Sequence, residues 1–575
     1  MNQQRIVNFI WQVADLLRGD YKQHEYGDII LPFTVLRRLD CVLEPTKDVV
    51  LEAAEKSMTT NLVDSIRDQM LKRITGVGFY NTSQYTMGKL HNDPNNIAKN
   101  LENYILGFSQ DARDVFEKFD FSNKIASLDE SGQLFLIVEK FCTVNLGPNI
   151  IDDLQMGSIY EELIRRFSEM SNETAGEHFS PRDGLKLAVD LLIDGCEDDL
   201  NNPDKASTVY DPCAGTGGAL SLFRDRVHEY STEHRVICFG QELNPQTYAT
   251  CKADTLLRGG DASHIAFGNT LTNDAFPDNT FAFQISNPPY GVDWKKSKKE
   301  VEEEYKTKGM QGRFGAGLPR ISDGQLLFIE HMVSRMRAPG LGGGRIAVFM
   351  NGSPLFTGSA GSGESDIRRW LLEERDLVEA IVAMPNDFFY NTGIATYIWV
   401  LNNQKPEERK GKVQLINANG VFTKMRKSLG SKRNELSDEQ IKAIVREYHA
   451  FEESETCKIF DTSEFGYTTI TVERPQRDEN GNVVRDRRGH PKADAKLRDT
   501  ENVPLNEDID EYFEREVKPY APDAWLDRKK DKVGYEIPFT RYFYQYTPLR
   551  PSTEIAEDIK QLETSISQHL AELGL

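Results

Sequence analysis

The chain has 575 residues, with 69 Lys and Arg against 90 Asp and Glu, a formal charge of −21. At 39% hydrophobic and 28% charged residues it has the composition of a globular protein of roughly two to four domains. Its acidity argues against gripping nucleic acid with the whole surface, which draws on clustered Lys and Arg. No run approaches the ~18 apolar residues of a membrane span, and residues 1–20 lack a signal peptide's apolar core. Seven cysteines without a CxxC pair suggest neither a disulfide framework nor a zinc site, so no metal is expected and a reducing cytoplasm is the expected setting.

From the start to residue 170 the chain reads as a helical domain. Ile6, Phe9, Ile10, Val13, Leu16 and Leu17 recur at three- and four-residue steps. Similar runs surround Val35 to Leu39, Leu134 to Phe141 and Ile159 to Phe167. At Ser180 the pattern predicts a helix start, with Ser180 as cap, Pro181 at the first position and Asp183 three residues after the cap. Seven short apolar runs then alternate with helical stretches: Thr208–Tyr210, Val236–Phe239, Ile265–Phe267, Phe281–Ile285, Ile346–Met350, Val378–Ala383 and Tyr397–Leu401. That alternation predicts an α/β domain over 171–425, a mostly parallel sheet covered on both faces with its ligand site beyond the strands' carboxyl ends. Residues 426–550 form a charged extension; RDENGNVVRDRRGHPKADAKLRD within it reads as an exposed hairpin or insertion, and no internal repeat is recognised. In 551–575, Ile555, Ile559, Leu562, Ile566, Leu570 and Leu573 line one stripe of a final helix, suited to packing on its own chain or on a partner helix.

Three places carry chemistry. Asp211 ends the first predicted strand, and Gly215, Gly217 and Gly218 make a tight turn where backbone can approach a ligand and a helix N-terminus offers free N–H groups. Alone this turn also suits a structural strand–helix junction; it is neither GxxxxGK[ST] nor GxGxxG. Glu242 ends the second strand, where an acidic residue can take both hydroxyls of a ribose. Asn287-Pro288-Pro289-Tyr290 follows the strand FAFQIS. Its prolines donate no hydrogen bond and fix the backbone, so the Asn287 amide oxygen and the Pro288 carbonyl are aimed to accept both hydrogens of an exocyclic NH₂, with Tyr290 a ring for stacking.

DPCAGTGG and NPPY resemble the cofactor and catalytic loops of S-adenosylmethionine-dependent amino-methyltransferases, and GEHFSPR is similar to a further motif of DNA adenine methyltransferases. ADLLRGDYKQHEYGDIILPFTVLRRLD, GLPRISDGQLLFIEHMVSRM, NGSPLFTGSAGSGESDIRRWLLE, FYNTGIATYIWVL and EFGYTTITVERP resemble the modification subunit of type I restriction-modification systems, over nearly the whole chain. Cys213 in the glycine loop and Ser180 for the usual Thr are mild departures. The resemblance implies a Rossmann-like domain with a mostly parallel seven-stranded sheet and transfer of a methyl group from S-adenosylmethionine to N6 of adenine in DNA. It implies cofactor contacts from Glu177, His178, Phe179, Ser180, Pro181 and Arg182, from Asp211, Pro212, Ala214, Gly215, Thr216, Gly217 and Gly218, and from Glu242 and Asn269; Asn287, Pro288, Pro289 and Tyr290 would carry catalysis. A specificity subunit would read the sequence, two modification subunits would join it, and a motor-nuclease restriction subunit would add.

N6 of adenine is a poor nucleophile because its lone pair is delocalised, and hydrogen bonds to Asn287 and Pro288 favour a pyramidal nitrogen. The base must leave the duplex to reach such a loop. Residues 291–320 carry eight basic against five acidic residues and are placed to touch DNA, whereas 151–290 has 23 acidic and 10 basic. The competing readings are a stand-alone DNA methyltransferase, an amino-methyltransferase acting on RNA or protein glutamine, and a cofactor-binding scaffold.

Overall fold

The computed structural model describes residue 9 and residues 12–59, 62–170, 180–390, 392–429, 431–544 and 551–572. Ile6 and Ile10 of the first expected helix lie outside these, while Val13 and Leu17 are buried. The N-terminal region is helical and centres on Tyr26–Leu43, whose Ile29, Ile30, Phe33, Leu36 and Leu39 are buried at helical spacing. Phe33 meets Phe121 edge-on at 4.9 Å between ring centroids and stacks on Phe141 at 5.6 Å. The helix Asp153–Met170 adds Ile159, Tyr160 and Leu163 to this core, which also takes in Ala249, Ala253 and Leu256 from the helix Pro245–Leu257.

The large sheet has nine strands. In chain order they are β1 (Ala206–Asp211), β2 (Arg235–Glu242), β3 (Ile265–Phe267), β4 (Phe283–Ser286), β5 (Arg345–Asn351), β6 (Val378–Ala383), β7 (Thr396–Asn402) and β8 (Lys412–Asn417). β9 (Thr423–Leu429) and β10 (Lys432–Glu435) form a separate antiparallel pair, and β11 (Cys457–Asp461) is the ninth strand of the sheet. The spatial order is 11-8-6-7-5-4-1-2-3. β7 runs antiparallel between β5 and β6, β11 is antiparallel to β8, and the other neighbours are parallel.

The expected seven strands are therefore β1 to β7 and lie side by side, but the count of seven is corrected to nine. β8 and β11 extend one edge, and β11 comes from beyond residue 425. Both extra strands have polar residues among their apolar ones, Gln414 in KVQLIN and Lys458 in CKIFD, which hides them from an apolar-run criterion.

Alternate side chains face opposite layers. Val209, Phe283 and Phe349 share a core with the helices Arg182–Ile193, Gly218–Tyr230 and Asp438–Ala450. The adjacent Tyr210 faces the other way, stacked on Phe281 at 4.5 Å and bonded through its hydroxyl to His331 Nε2 at 3.0 Å in the helix Gln325–Ser334. From β1 the chain moves outward through β2 and β3, then returns to place β4 on the other side of β1. The strand order thus reverses between β1 and β4, where open α/β sheets bind ligands beyond their carboxyl ends.

A second sheet surrounds β12 (Gly466–Glu473), which pairs antiparallel with β13 (Asp499–Pro504), β14 (Trp525–Leu526) and β15 (Lys532–Tyr535). Its anchor is the fully buried Arg368, which donates to the carbonyls of Tyr535 (2.5 Å), Pro354 (3.0 Å) and Gly358 (3.3 Å). Between β12 and β13 the chain makes turns spaced eight residues apart, so the expectation of no internal repeat is corrected as well. Residues 538–575 form a separate compact unit. Its helix Ser552–Glu572 carries Ile555, Ile559, Leu562, Ile566 and Leu570 as an exposed stripe; Leu573 lies outside the described residues. Among the described residues no helix is long and apolar enough to cross a membrane, and no group of three or more His, Cys, Asp or Glu is placed to hold a metal.

Candidate active site

At the strand-order reversal lies a cavity of about 870 Å³, within the range of small-molecule sites. Asp211, Pro212, Ala214, Gly215, Thr216, Gly218, Glu242, Asn269, Asn287, Pro289, Tyr290, Ser180 and Arg182 all line it. Pro181, Gly217 and Pro288 belong to the same segments without lining it. Glu177, His178 and Phe179 lie outside the described residues.

The turn after β1 is shaped by glycine where glycine is required. Gly215 and Gly217 have φ of +53° and +86°, and a Cβ on Gly217 would stand 2.9 Å from Cys251 Sγ. Gly218 opens the helix Gly218–Tyr230, and a Cβ there would meet only Leu185 Cδ1, at 3.8 Å, so a side chain would take up cavity space. Glu242 ties the two strand ends together: one carboxylate oxygen accepts the Gly215 N–H at 2.8 Å and the other the Asn244 N–H at 2.7 Å. Asp211 is buried and accepts the Cys213 N–H at 2.9 Å and the Ser286 hydroxyl at 2.7 Å. Burial outweighs those two bonds and pushes its carboxyl up to about 7, with the nearby Glu242 adding a smaller push.

Asn287 follows directly from β4. Its amide nitrogen donates to Ser180 Oγ at 2.9 Å and its amide oxygen accepts the Tyr290 hydroxyl. Tyr290 is half-buried with its ring edge-on to Phe389 at 6.0 Å between centroids, and burial raises its phenol well above the ordinary value. Ser180 is therefore not the helix cap expected of it. The helix Arg182–Ile193 is preceded by Pro181 without a side-chain cap, while Asp183 accepts from Lys432 Nζ and the Leu436 N–H at 3.0 and 2.8 Å. Arg182 pairs with Glu161 at the cavity wall. Asn269 donates to Ser297 Oγ at 3.0 Å and accepts the Leu271 N–H at 3.0 Å, which fixes the loop after β3.

Several lining residues escape the motif reading. Leu243 and Asn244 follow Glu242 directly, and the Asn-Pro helix start at Asn244–Pro245, where Asn244 Oδ1 accepts the Gln246 N–H at 2.9 Å, was a usable signal. Phe328, Thr392 and Ile394 arrive from the helix Gln325–Ser334 and the β6–β7 loop and carry no local mark of a site. The basic segment after Tyr290 also differs from its charge count. Lys295, Lys298, Lys306 and Lys308 pair with Asp293, Glu302 or Glu304. Arg313 is half-buried, pairs with Glu304 at 2.7 Å and donates to the carbonyls of Thr270 and Leu271.

A glycine turn, an acidic end to the second strand and an Asn-Pro-Pro-Tyr loop on adjacent strands of a 3-2-1-4-5-7-6 core define a Rossmann-like α/β methyltransferase. Residues 151–482 match the family model described as N-6 DNA Methylase, and residues 6–141 match that of the HsdM N-terminal domain. The chain belongs to the N-6 DNA methylase family, in the form that carries this helical N-terminal domain. Its relatives include the type I restriction enzyme MjaIX methylase subunit of Methanocaldococcus jannaschii, 25% identical over 78% of this chain and 77% of the relative. The MjaVII methylase subunit of the same organism is 29% identical over 53% of this chain, which spans 49% of that relative's length. The structure of a type I restriction-modification methyltransferase subunit from Streptococcus thermophilus shares the fold, with a TM-score of 0.62 at 20% identity, covering 81% of this chain and 97% of that one.

Proposed function

We propose that this methylase transfers the methyl group of S-adenosylmethionine to N6 of an adenine flipped out of duplex DNA, as the modification subunit of a type I assembly. The observation that carries this is the Asn287–Tyr290 loop held at the rim of the cavity that Asp211, Gly218 and Glu242 line. The residues present fit the cofactor. Glu242 offers carboxylate oxygens for a ribose diol, the helix start at Gly218 offers backbone donors, and the absence of side chains at Gly215 and Gly218 leaves room for a nucleoside and an amino-acid arm. When bound, S-adenosylmethionine supplies a methyl group already activated on a sulfonium.

The chain's own contribution is positioning. Asn287 Oδ1 and the Pro288 carbonyl accept the two N6 hydrogens, which turns the nitrogen lone pair out of the ring plane. The amide nitrogen stays bonded to Ser180, so the amide oxygen keeps its direction. The incoming amino group displaces the Tyr290 hydroxyl from Asn287 Oδ1, which frees the ring to stack on the base and offset part of the flipping cost of a few kcal/mol. Proton loss follows from the methylated nitrogen and requires no dedicated base.

Sequence reading belongs, in this proposal, to a specificity subunit, with two modification subunits per complex and a motor-nuclease subunit added for restriction. Methylase subunits of type I restriction enzymes among the relatives support it. The test is labelled S-adenosylmethionine with DNA, with and without the specificity subunit. Label is expected in N6-methyladenine only with the partner present. Asn287→Ala and Tyr290→Ala are each expected to lower turnover by at least 100-fold, about 2.7 kcal/mol, with cofactor binding retained; wild-type turnover in either sinks the assignment.

A further inference from the structure

Residues 474–498, between β12 and β13, hold eight Lys and Arg against four Asp and Glu, so this module is +4 in a chain whose remainder is −25. It is built from three units that begin at Gln476, Val484 and Lys492. Their backbones close a triangle: Gln476 N–H donates to the Lys492 carbonyl (2.8 Å), Lys492 N–H to Val484 (2.9 Å) and Val484 N–H to Gln476 (2.8 Å). Two residues into each unit stands an aspartate. Asp478 Oδ1 accepts the N–H groups of Asn480 and Asn482, Asp486 Oδ1 those of Arg488 and His490, and Asp494 Oδ1 that of Lys496, all at 2.8–2.9 Å. Gly481 and Gly489 take φ of +83° and +84°, and their carbonyls accept from Arg477 and Arg485 at 2.9 and 2.8 Å.

The charges divide by task. Three of the four acids are spent on the backbone of the turns. Arg474 and Arg477 pair with Asp523, and Arg498 with Glu473. Arg487, Arg488, Lys492 and Lys496 are exposed, and no ion pair holds them among the described residues. A loop of this composition would ordinarily be disordered and solvated. Here its order is supplied by backbone closure, and the four cations stand on a fixed frame at the tip of a β-hairpin. They are a better source of free positive charge than residues 291–320, where most lysines are already paired.

We propose that this three-turn module is a contact for the phosphate backbone of duplex DNA, supporting the substrate without reading its sequence. It rests on the DNA methylation proposed above. Phosphate contacts position a duplex and carry affinity that weakens with salt, while sequence information comes from elsewhere. The order already present in the module lowers what binding costs.

The experiment measures binding of duplexes of unrelated sequence to the full chain, alone and with the specificity subunit, by fluorescence anisotropy across a salt series. The variant R487S/R488S/K492S/K496S is expected to bind at least 10-fold more weakly at low salt. Its slope of log affinity against log salt should be shallower by about 2–4, since each lost phosphate contact removes about 0.9. S-adenosylmethionine binding should be unchanged, and R487K/R488K should retain the wild-type slope. Wild-type affinity and slope in the serine variant overturn the proposal. So does loss of the protein partner with DNA binding intact, which would assign the module to a protein interface. If the wild-type assembly methylates no DNA, the functional reading itself fails, and that outcome is distinct from a module defect in a working methylase.

Discussion

Asn287 holds both ends of its amide in use, one on Ser180 and one on Tyr290. The motif itself is local and was legible in four consecutive residues, because only a rigid proline pair can aim an amide and a carbonyl together. Its support was not legible. Ser180 lies 107 residues upstream, and helix-start rules assign it to the nearest backbone instead, since they contain no term for a distant competitor. Asp211 provides a prediction at the same scale. Its carboxyl rises from 3.8 to about 7 on folding, so the folded chain holds a proton that the unfolded chain releases across that interval. Stability from this group therefore falls as pH rises from about 4 to about 7 and stays low above it. Asp211→Asn keeps an acceptor for Cys213 and Ser286 and removes the charge. Its melting temperature, without cofactor, should exceed wild type at about pH 8, with the gap shrinking towards pH 5; scanning calorimetry that finds no pH-dependent gap contradicts this.

At the scale of elements, all seven sheet strands expected from apolar runs are present as β1 to β7, because strands buried on both faces read as continuous apolar stretches. β8 and β11 escape for the opposite reason: Gln414 interrupts the apolar run of the buried β8, and the edge strand β11, only partly covered, carries Lys458 and Asp461. The eight-residue turns at 474–498 escape because what recurs is turn chemistry, an Asp at every eighth position with Arg before it and Gly after it in two of the three units, rather than hydrophobic residues. Connections between elements are equally hidden. Arg313 clamps the helix Lys298–Lys308 through Glu304 and the loop after β3 through two carbonyls, though the sequence presents it as one more cation in a basic run. Arg313→Met leaves Glu304 only its long contact with the exposed Lys308 and should cost about 2 kcal/mol in chemical denaturation. It should also weaken cofactor binding by loosening the loop that carries Asn269. The double change with Glu304→Met should recover most of the stability and not the binding; equal recovery of both would place the loop outside the site's support.

At the scale of the whole molecule, the charge of −21 conceals a division. The cofactor-side half of the α/β region is strongly acidic, whereas residues 474–498 are net positive and hold four exposed cations that no ion pair engages among the described residues. The helix Ser552–Glu572 adds a second kind of surface, an apolar stripe with Leu562 and Ile566 more than half exposed, of the kind that seeks a partner helix. Deleting residues 552–575 is expected to abolish assembly with the specificity subunit in size-exclusion chromatography while cofactor binding persists, and unchanged assembly removes that role. Family motifs made this organisation readable along the chain, but not the sharing of one helix between two regions. The helix Pro245–Leu257 supplies Ala249, Ala253 and Leu256 to the N-terminal core while it also packs beneath β2 and β3. During synthesis, then, the helical region emerges with a face it cannot close until roughly a hundred further residues have left the ribosome. Completion of that core waits on the catalytic sheet, so a chain truncated before residue 245 is expected to expose the apolar surface that Ala249, Ala253 and Leu256 cover and to aggregate more readily than the full chain.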